Sequence, residues 1–210
     1  MVTLSKKLIE KLYHKEKLSS SKIAERLKTT AWTVIGFMVR NNIQRRTFKE
    51  ANRICFENKP LTFSIKKKLS AGEKELKLAG ILIYWAEGAK FKGMDGAPCT
   101  VDLANSDPRM ISLFLRFLRE ICGIDEKRLG VQLYCYANQD IESLKNFWYK
   151  RTKIPLNKFI KPYVRKDFLP EKIGKMKYGL VHIRYTDKKL LRLIDEWIKE
   201  YCKKMKILVD

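Results

Sequence analysis

Histidine is almost missing from this chain, with His14 and His182 the two examples in 210 residues. Neither stands in a recognisable nucleophile motif, so a histidine-dependent catalytic triad is not expected. The five cysteines (Cys55, Cys99, Cys122, Cys135 and Cys202) contain no C-x-x-C pair. An odd count without ligand spacing argues against a disulfide framework and a structural zinc site, and suits reduced, mostly buried thiols in a cytoplasmic protein. The ten glycines build no phosphate-cradling loop, which argues against nucleotide hydrolysis. No apolar run approaches the roughly 18 residues of a membrane span. The opening Met-Val-Thr-Leu-Ser-Lys-Lys also lacks the apolar segment of a secretory signal.

Acidic residues are scarce as well: 23 Asp+Glu stand against 45 Lys+Arg, a formal net charge of +22. Basic and acidic residues number 17 and 5 over residues 1–68, and 28 and 18 over 69–210, so both halves are basic. An excess of this size favours a polyanionic partner, of which nucleic acid is the commonest. An anionic membrane surface fits less well, because no stretch joins a long apolar run to a Lys/Arg-rich amphipathic face. The 45% hydrophobic content is enough for a real core in one or two domains.

Residues 4–46 carry a helix-turn-helix pattern. Leu4, Leu8, Ile9 and Leu12 make a first helix amphipathic. Ser19, Ser20 or Ser21 caps a second helix holding Ile23, Ala24 and Leu27. Thr29 and Thr30 form the turn, and Thr30 caps a third helix running to about Asn41. Val34 and Met38 face inward, Ala24 lets two helices cross closely, and Ile43 closes the core. The pattern resembles the DNA-binding heads of regulators and recombinases, in which the N-terminal half of the third helix enters the major groove. That half presents Thr30, Ala31, Trp32, Thr33, Ile35 and Gly36, with Arg40 a turn later. Thr33 suits base edges or a phosphate, and Ala31 and Trp32 suit thymine methyl groups. Arg45, Arg46 and Lys49 follow at positions suited to phosphates. The alternative is that Trp32, Ile35 and Phe37 form an apolar patch for a protein partner or the second domain. This domain is expected over residues 1–48, followed by a basic linker without clear periodicity over 49–69.

Residues 78–88, Leu-Ala-Gly-Ile-Leu-Ile-Tyr-Trp-Ala-Glu-Gly, read as an apolar helix ending in a carboxylate and a glycine. Ser70 and Glu73 stand at capping-box spacing, so the helix should start near Ala71. Gly88 is expected to supply a left-handed stop. Glu87 is out of place in a last turn that already carries partial negative charge. Beside free carbonyl oxygens, however, a carboxylate forms half of a hard-cation site. The alternative is a solvated glutamate at a frayed helix end.

Leu78-Ala79-Gly80 followed by Ala86-Glu87-Gly88 resembles the LAGLIDADG motif of homing endonucleases and their non-cleaving relatives. Residues 100–118 agree with it, passing from a strand through Asn105-Ser106-Asp107 to an amphipathic helix. The resemblance spans roughly residues 70–205 and is thin outside these two stretches. It implies an α+β fold in which residues 70–210 form a LAGLIDADG-like αββαββα domain with an antiparallel sheet and one extra helix. It further implies that the motif helices of two copies pack through Ala79, Gly80, Ile83 and Tyr84, and that Glu87 holds Mg2+ in a cleaving member. Lys90 or Lys92 would then polarise the attacking water or stabilise developing charge. Tyr84 departs from the small residue that often permits close helix approach. With one motif in the chain, a cleaving enzyme has to be a homodimer.

Alternation and turn residues place strands at 89–93 and 98–105, joined by a hairpin turn at Met94-Asp95-Gly96. A helix over 108–122, a strand over 129–137 and a helix over 142–152 follow. Residues 159–165 and 178–186 read as a second hairpin pair, and 187–203 as a closing helix. One sheet face packs on helices. The other gathers Lys90, Lys92, Gln132, Tyr134, Tyr136, Lys161, Arg165, His182 and Arg184, which suit a DNA major groove. The alternative is an ordinary solvated sheet face.

These observations lead to a DNA-binding protein on a LAGLIDADG-like scaffold, sequence-specific and regulatory, because a complete reader head precedes the motif. A Mg2+-dependent site-specific endonuclease acting as a homodimer is the first alternative. An RNA-binding or RNA-maturation protein, stacking bases on Tyr134 and Tyr136, is the second. The expected partner is double-stranded DNA, with no membrane and with a nucleoid-associated, cytoplasmic location. No cofactor is expected unless the chain cuts.

Overall fold

The computed structural model describes residues 4–93, 99–165 and 176–207. Among them are eight α-helices and a four-stranded mixed sheet, an α+β protein. The chain divides into two units, Met1–Pro60 and Leu61–Asp210.

In the first unit, α1 (Lys6–Glu10) runs on through a wide π turn, Lys11–Lys15. It is followed by α2 (Ser20–Arg26) and α3 (Ala31–Arg40). Each α-helix starts at a hydroxyl in extended backbone: Ser5, Ser19 and Thr30 accept from the N–H of Leu8, Lys22 and Thr33. Such caps satisfy one of the donors a first turn leaves open. Ile9, Ile23, Val34 and Met38 are fully buried at the centre, with Leu12, Ala24 and Ile43 closing around them. The three helices expected over residues 4–46 are present.

The stretch read as an aperiodic linker is corrected by α4 (Phe48–Glu57), which opens on a full capping box between Thr47 and Glu50. None of its residues is buried. Its apolar side chains therefore carry no packing signal, and a window dominated by Lys49, Glu50, Asn52 and Arg53 hides them.

In the second unit, residues 61–69 already belong to the fold. Phe63 bridges Ile124, and the Thr62 hydroxyl lies 2.7 Å from the Tyr185 hydroxyl. Next comes α5 (Ala71–Glu87), begun by the expected Ser70–Glu73 capping box. Gly88 does not supply a left-handed stop, since its φ of −82° and ψ of 157° are extended. Glycine is needed there for space, because a Cβ would lie 2.4 Å from Cδ2 of Tyr84.

The remaining elements are β1 (Val101–Asn105), α6 (Pro108–Arg116) with a π turn over Phe117–Ile121, and β2 (Leu129–Tyr136). They continue with α7 (Ile141–Thr152), β3 (Tyr163–Arg165), β4 (Leu180–Tyr185) and α8 (Lys188–Lys204). The sheet order is β1-β4-β2-β3. β4 is antiparallel to both β1 and β2, whereas β3 is parallel to β2. The expected antiparallel sheet is therefore mixed, and the second hairpin does not form. The cause is α7, since a strand that returns through a helical crossover arrives parallel to the one it left.

The first expected hairpin is reduced to a bridge between Gly88 and Leu103 and a bond from the Ala89 N–H to the Asp102 carbonyl. Residues 89–93 form no strand. The turn expected at Met94-Asp95-Gly96 lies outside the described residues.

The core fills one side of the sheet. Leu103, Val131, Val181 and Ile183 meet Ile111, Phe114 and Phe117 as well as Leu190 and Ile194, all with about 0% exposure. Period-two burial along β4, with Val181, Ile183 and Tyr185 inward, turns His182 and Arg184 to the opposite face. Among the described residues, no helix is long and apolar enough to cross a membrane.

Candidate nucleic-acid interface

The outer side of α3 is shaped by its cap. The Thr30 hydroxyl accepts from the Thr33 N–H at 3.2 Å and lies 2.9 Å from the Thr33 hydroxyl. Trp32 is 82% exposed. Gly36 and Arg40 continue the same stripe at four-residue steps, and Nη1 of Arg40 would lie 3.8 Å from a Cβ on Gly36. Thr33 is exposed beside this stripe, while Ala31 and Ile35 are half-buried at its margins. Thr30, Ala31, Trp32, Thr33, Gly36 and Arg40 thus share one helix with its inner side committed to the core.

Arg46, expected at a phosphate, is engaged within its own unit. Its guanidinium lies 3.9 Å from the centre of the Tyr13 ring. It donates to the carbonyls of Lys17 and Tyr13, both at 3.2 Å, and to that of Leu18. The Arg46 N–H also donates to the Tyr13 hydroxyl at 3.1 Å. The side chain closes the carbonyl end of the first helix, where a cation is favoured. Arg45 is exposed.

Four strands bring a second group together on the open sheet face. Asp102 on β1 stands opposite Arg184 on β4, and Gln132 on β2 opposite His182. Nδ1 of His182 lies 2.9 Å from Oδ1 of Asp102, and Nε of Arg184 lies 3.2 Å from Oδ2. An ionised carboxylate only accepts, so Nδ1 of His182 carries the proton in this contact. Arg184 reaches Gln132 at 3.5 Å. The Tyr134 ring lies 4.6 Å from that of His182 and 5.0 Å from that of Tyr163 on β3.

Gln132, Tyr134, His182 and Arg184 therefore meet as the sequence suggested. Asp102 and Tyr163 complete the group; the sequence offered Asp102 only as a helper to Glu87 at a metal and placed neither residue on this face. Period-two alternation in Thr100–Asn105 could have found Asp102, while Tyr163 depends on the parallel pairing of β3. Arg165 forms a separate pair, its guanidinium 5.9 Å from the centre of the Tyr136 ring. Tyr136 is buried and offers little surface. Lys161 and Lys92 are exposed outside the strands. Lys90 is also outside a strand, and its ammonium donates to the Trp85 carbonyl in the last turn of α5.

Two of the four motif-helix residues expected between copies pack inside their own unit. Gly80 and Tyr84 are buried there. Gly80 lies under the Phe117 ring, and Tyr84 stacks on Phe114 at 5.7 Å and donates to the Ala89 carbonyl at 2.7 Å. Burial pushes the Tyr84 phenol above its ordinary pKa. Ala79 and Ile83 are half-buried. The outer face of α5 instead carries Leu78, Leu82 and Trp85, each more than a third exposed.

Glu87 is exposed at the end of this helix. Among the described residues, no three His, Cys, Asp or Glu side chains gather where they could share a metal ion. The carboxylate of Asp102 is held by His182 and Arg184.

Comparison with known proteins finds no family model, no curated protein and no solved structure that matches this chain.

Proposed function

We propose that this chain is a sequence-specific, regulatory DNA-binding protein on a LAGLIDADG-like scaffold, with a helix-turn-helix head that lays α3 in the major groove. The observation that carries this reading is the stripe of exposed Trp32 and Arg40 with half-buried Gly36 between them, beside Thr33, on a helix anchored by Val34 and Met38. Thr33 and Arg40 are the polar readers, Trp32 supplies the apolar surface for thymine methyls, and Arg45 holds phosphate. The net charge of +22 supplies the attraction and predicts association with the nucleoid. On the sheet face, Gln132, His182 and Arg184 offer long polar side chains for a second contact with the same kind of ligand.

The test is selection from a randomised duplex library, followed by binding curves in increasing salt. Recovered molecules should share a sequence, and affinity should fall steeply with salt as several phosphate contacts are screened. Thr33→Ala and Trp32→Ala should erase the shared sequence while leaving weak, salt-sensitive binding. A library recovered without any enriched sequence would end the proposal, and preferential recovery of single-stranded RNA from a mixed pool would replace it.

A second reading, a Mg2+-dependent endonuclease acting as a homodimer, is favoured by the Leu78–Leu82–Trp85 stripe that ends beside exposed Glu87. Two copies meeting along that stripe would each bring one carboxylate, a ligand type that magnesium accepts. A bound magnesium ion supplies an activated water and charge stabilisation at the leaving oxygen. Adding Mg2+ to the selected duplex distinguishes the readings: site-specific cuts that vanish in Glu87→Gln establish the enzyme, and intact DNA establishes the binder.

A further inference from the structure

A cleft of about 590 Å3 lies within the first unit, with α4 as one wall. That wall is apolar, made by Phe48, Ala51, Ile54 and Cys55. Their spacing puts them on one side of the helix, yet Phe48 is 83% exposed and no residue of α4 is buried. Lys17, Lys22 and Arg45 line the same cleft, and no carboxylate does. The acids of α4 are committed elsewhere, Glu50 to the capping box with Thr47 and Glu57 to Arg53 at 3.2 Å.

Three kinds of occupant can be compared by chemistry. A second copy of this unit would bring the same basic excess, and like charges across an interface are costly. A phosphate backbone would satisfy the cations but leave the Phe48–Ile54 wall against water. An acidic segment with apolar residues at helical spacing satisfies both surfaces at once. From Phe48 to Cys55 the wall runs seven residues, about 10 Å, which matches two turns of a bound helix. The volume is also within the range of well-formed binding sites.

We infer that this cleft is a docking groove for an acidic amphipathic segment of a partner protein, seated with its apolar side on α4 and its carboxylates on the Lys/Arg rim. The inference does not require α3 to read DNA, although Arg45 is shared with the proposed phosphate contact. Because α4 contributes nothing to the buried core, substitutions on its wall leave the fold standing.

Cys55 makes the groove measurable, since its exposed thiol is part of the wall, and exposed Cys99 in the other unit serves as an internal reference. The probe is a synthetic acidic peptide with leucines at i, i+3 or i+4, and i+7, added to the full chain during iodoacetamide alkylation read by mass spectrometry. Cys55 should react about tenfold more slowly once the peptide is near ten times its dissociation constant, while Cys99 keeps its rate. Replacing the leucines by serines at constant charge should remove the protection, as should Ile54→Asp in the protein. Equal protection by the serine peptide, equal protection by a random-sequence duplex, or none by the leucine peptide at millimolar concentration would each overturn the inference.

Discussion

Gly80 lies so close beneath Phe117 that a Cβ on the glycine would stand 2.2 Å from Cγ of the ring. Gly80 is buried on α5 and Phe117 belongs to the second unit's core, and the contact fixes the crossing of α5 over the π turn that follows α6. Gly80→Ala should therefore destabilise the protein by about 1–3 kcal/mol of overpacking, although alanine improves helix propensity by roughly 1 kcal/mol. Urea unfolding checks this, and an unchanged or higher midpoint would show that Phe117 yields freely. A change in self-association without a change in stability would return Gly80 to the surface between copies.

Arg45 and Arg46 are neighbours with opposite expected phenotypes. Arg46→Ala removes three bonds from a cation to helix-end carbonyls and exposes the Tyr13 ring. A loss of about 1.5–3 kcal/mol of stability is expected, seen as a lower thermal midpoint of the first unit. Arg45→Ala should move stability by less than about 0.5 kcal/mol and instead weaken duplex binding and reduce its salt slope.

The two capping boxes should respond differently to acid. Thr47 backbone and side-chain bonds hold Glu50 below its ordinary pKa of 4.5. Lys66, followed by the Ser70 backbone, does the same for Glu73. A carboxylate with a depressed folded pKa contributes stability that is present above its unfolded value and lost as pH falls through the folded one. Hydrogen exchange at decreasing pH should therefore show α4 opening first, because it has no buried residue. α5 should hold, because Leu76, Gly80, Ile81 and Tyr84 anchor it. Simultaneous opening of both would mean that α4 is packed more firmly than its exposure indicates.

Asp102 should control selectivity more than affinity. Asp102→Asn raises the net charge by one, which strengthens sequence-independent attraction to a duplex. It also releases His182 and Arg184 from a shared anchor, at a cost of about 1–3 kcal/mol in discrimination wherever either reads a base. The specificity ratio should fall while non-specific affinity rises. A ratio that stays constant would place the sheet face away from the bases.

The outer face of α5 gives a separate expectation. Leu82→Asp should abolish any self-association measured by sedimentation, without the stability loss of Gly80→Ala, because Leu82 is exposed and Gly80 is buried. A dimer that survives Leu82→Asp does not use this helix.

Much of the local structure was legible because its signals are local. Ser19, Thr30 and the Ser70–Glu73 pair each announce a helix within four residues, and Val34, Met38 and Ile43 mark a core by spacing alone. Thr47 and Glu50 give the same announcement for α4, yet without buried residues the apolar period behind it stayed weak. Gly88 shows a different limit, since a glycine required for a left-handed turn and one required for the closeness of Tyr84 look alike in sequence. The parallel placement of β3 and the roles of Arg46 and Asp102 depend on partners about 30 to 80 residues away. Period and propensity do not report such distances.

The sheet's margins carry a consequence for crowded solution. The far side of β1 is partly occupied by Gly88 and Ala89, and the opposite margin is β3, only three residues long. Among the described residues, an incoming strand meets a truncated template with few free rungs, the arrangement that keeps sheets from zipping into ribbons. Crowding should therefore bring copies together through side chains, and β-type fibrils should require prior unfolding of the second unit.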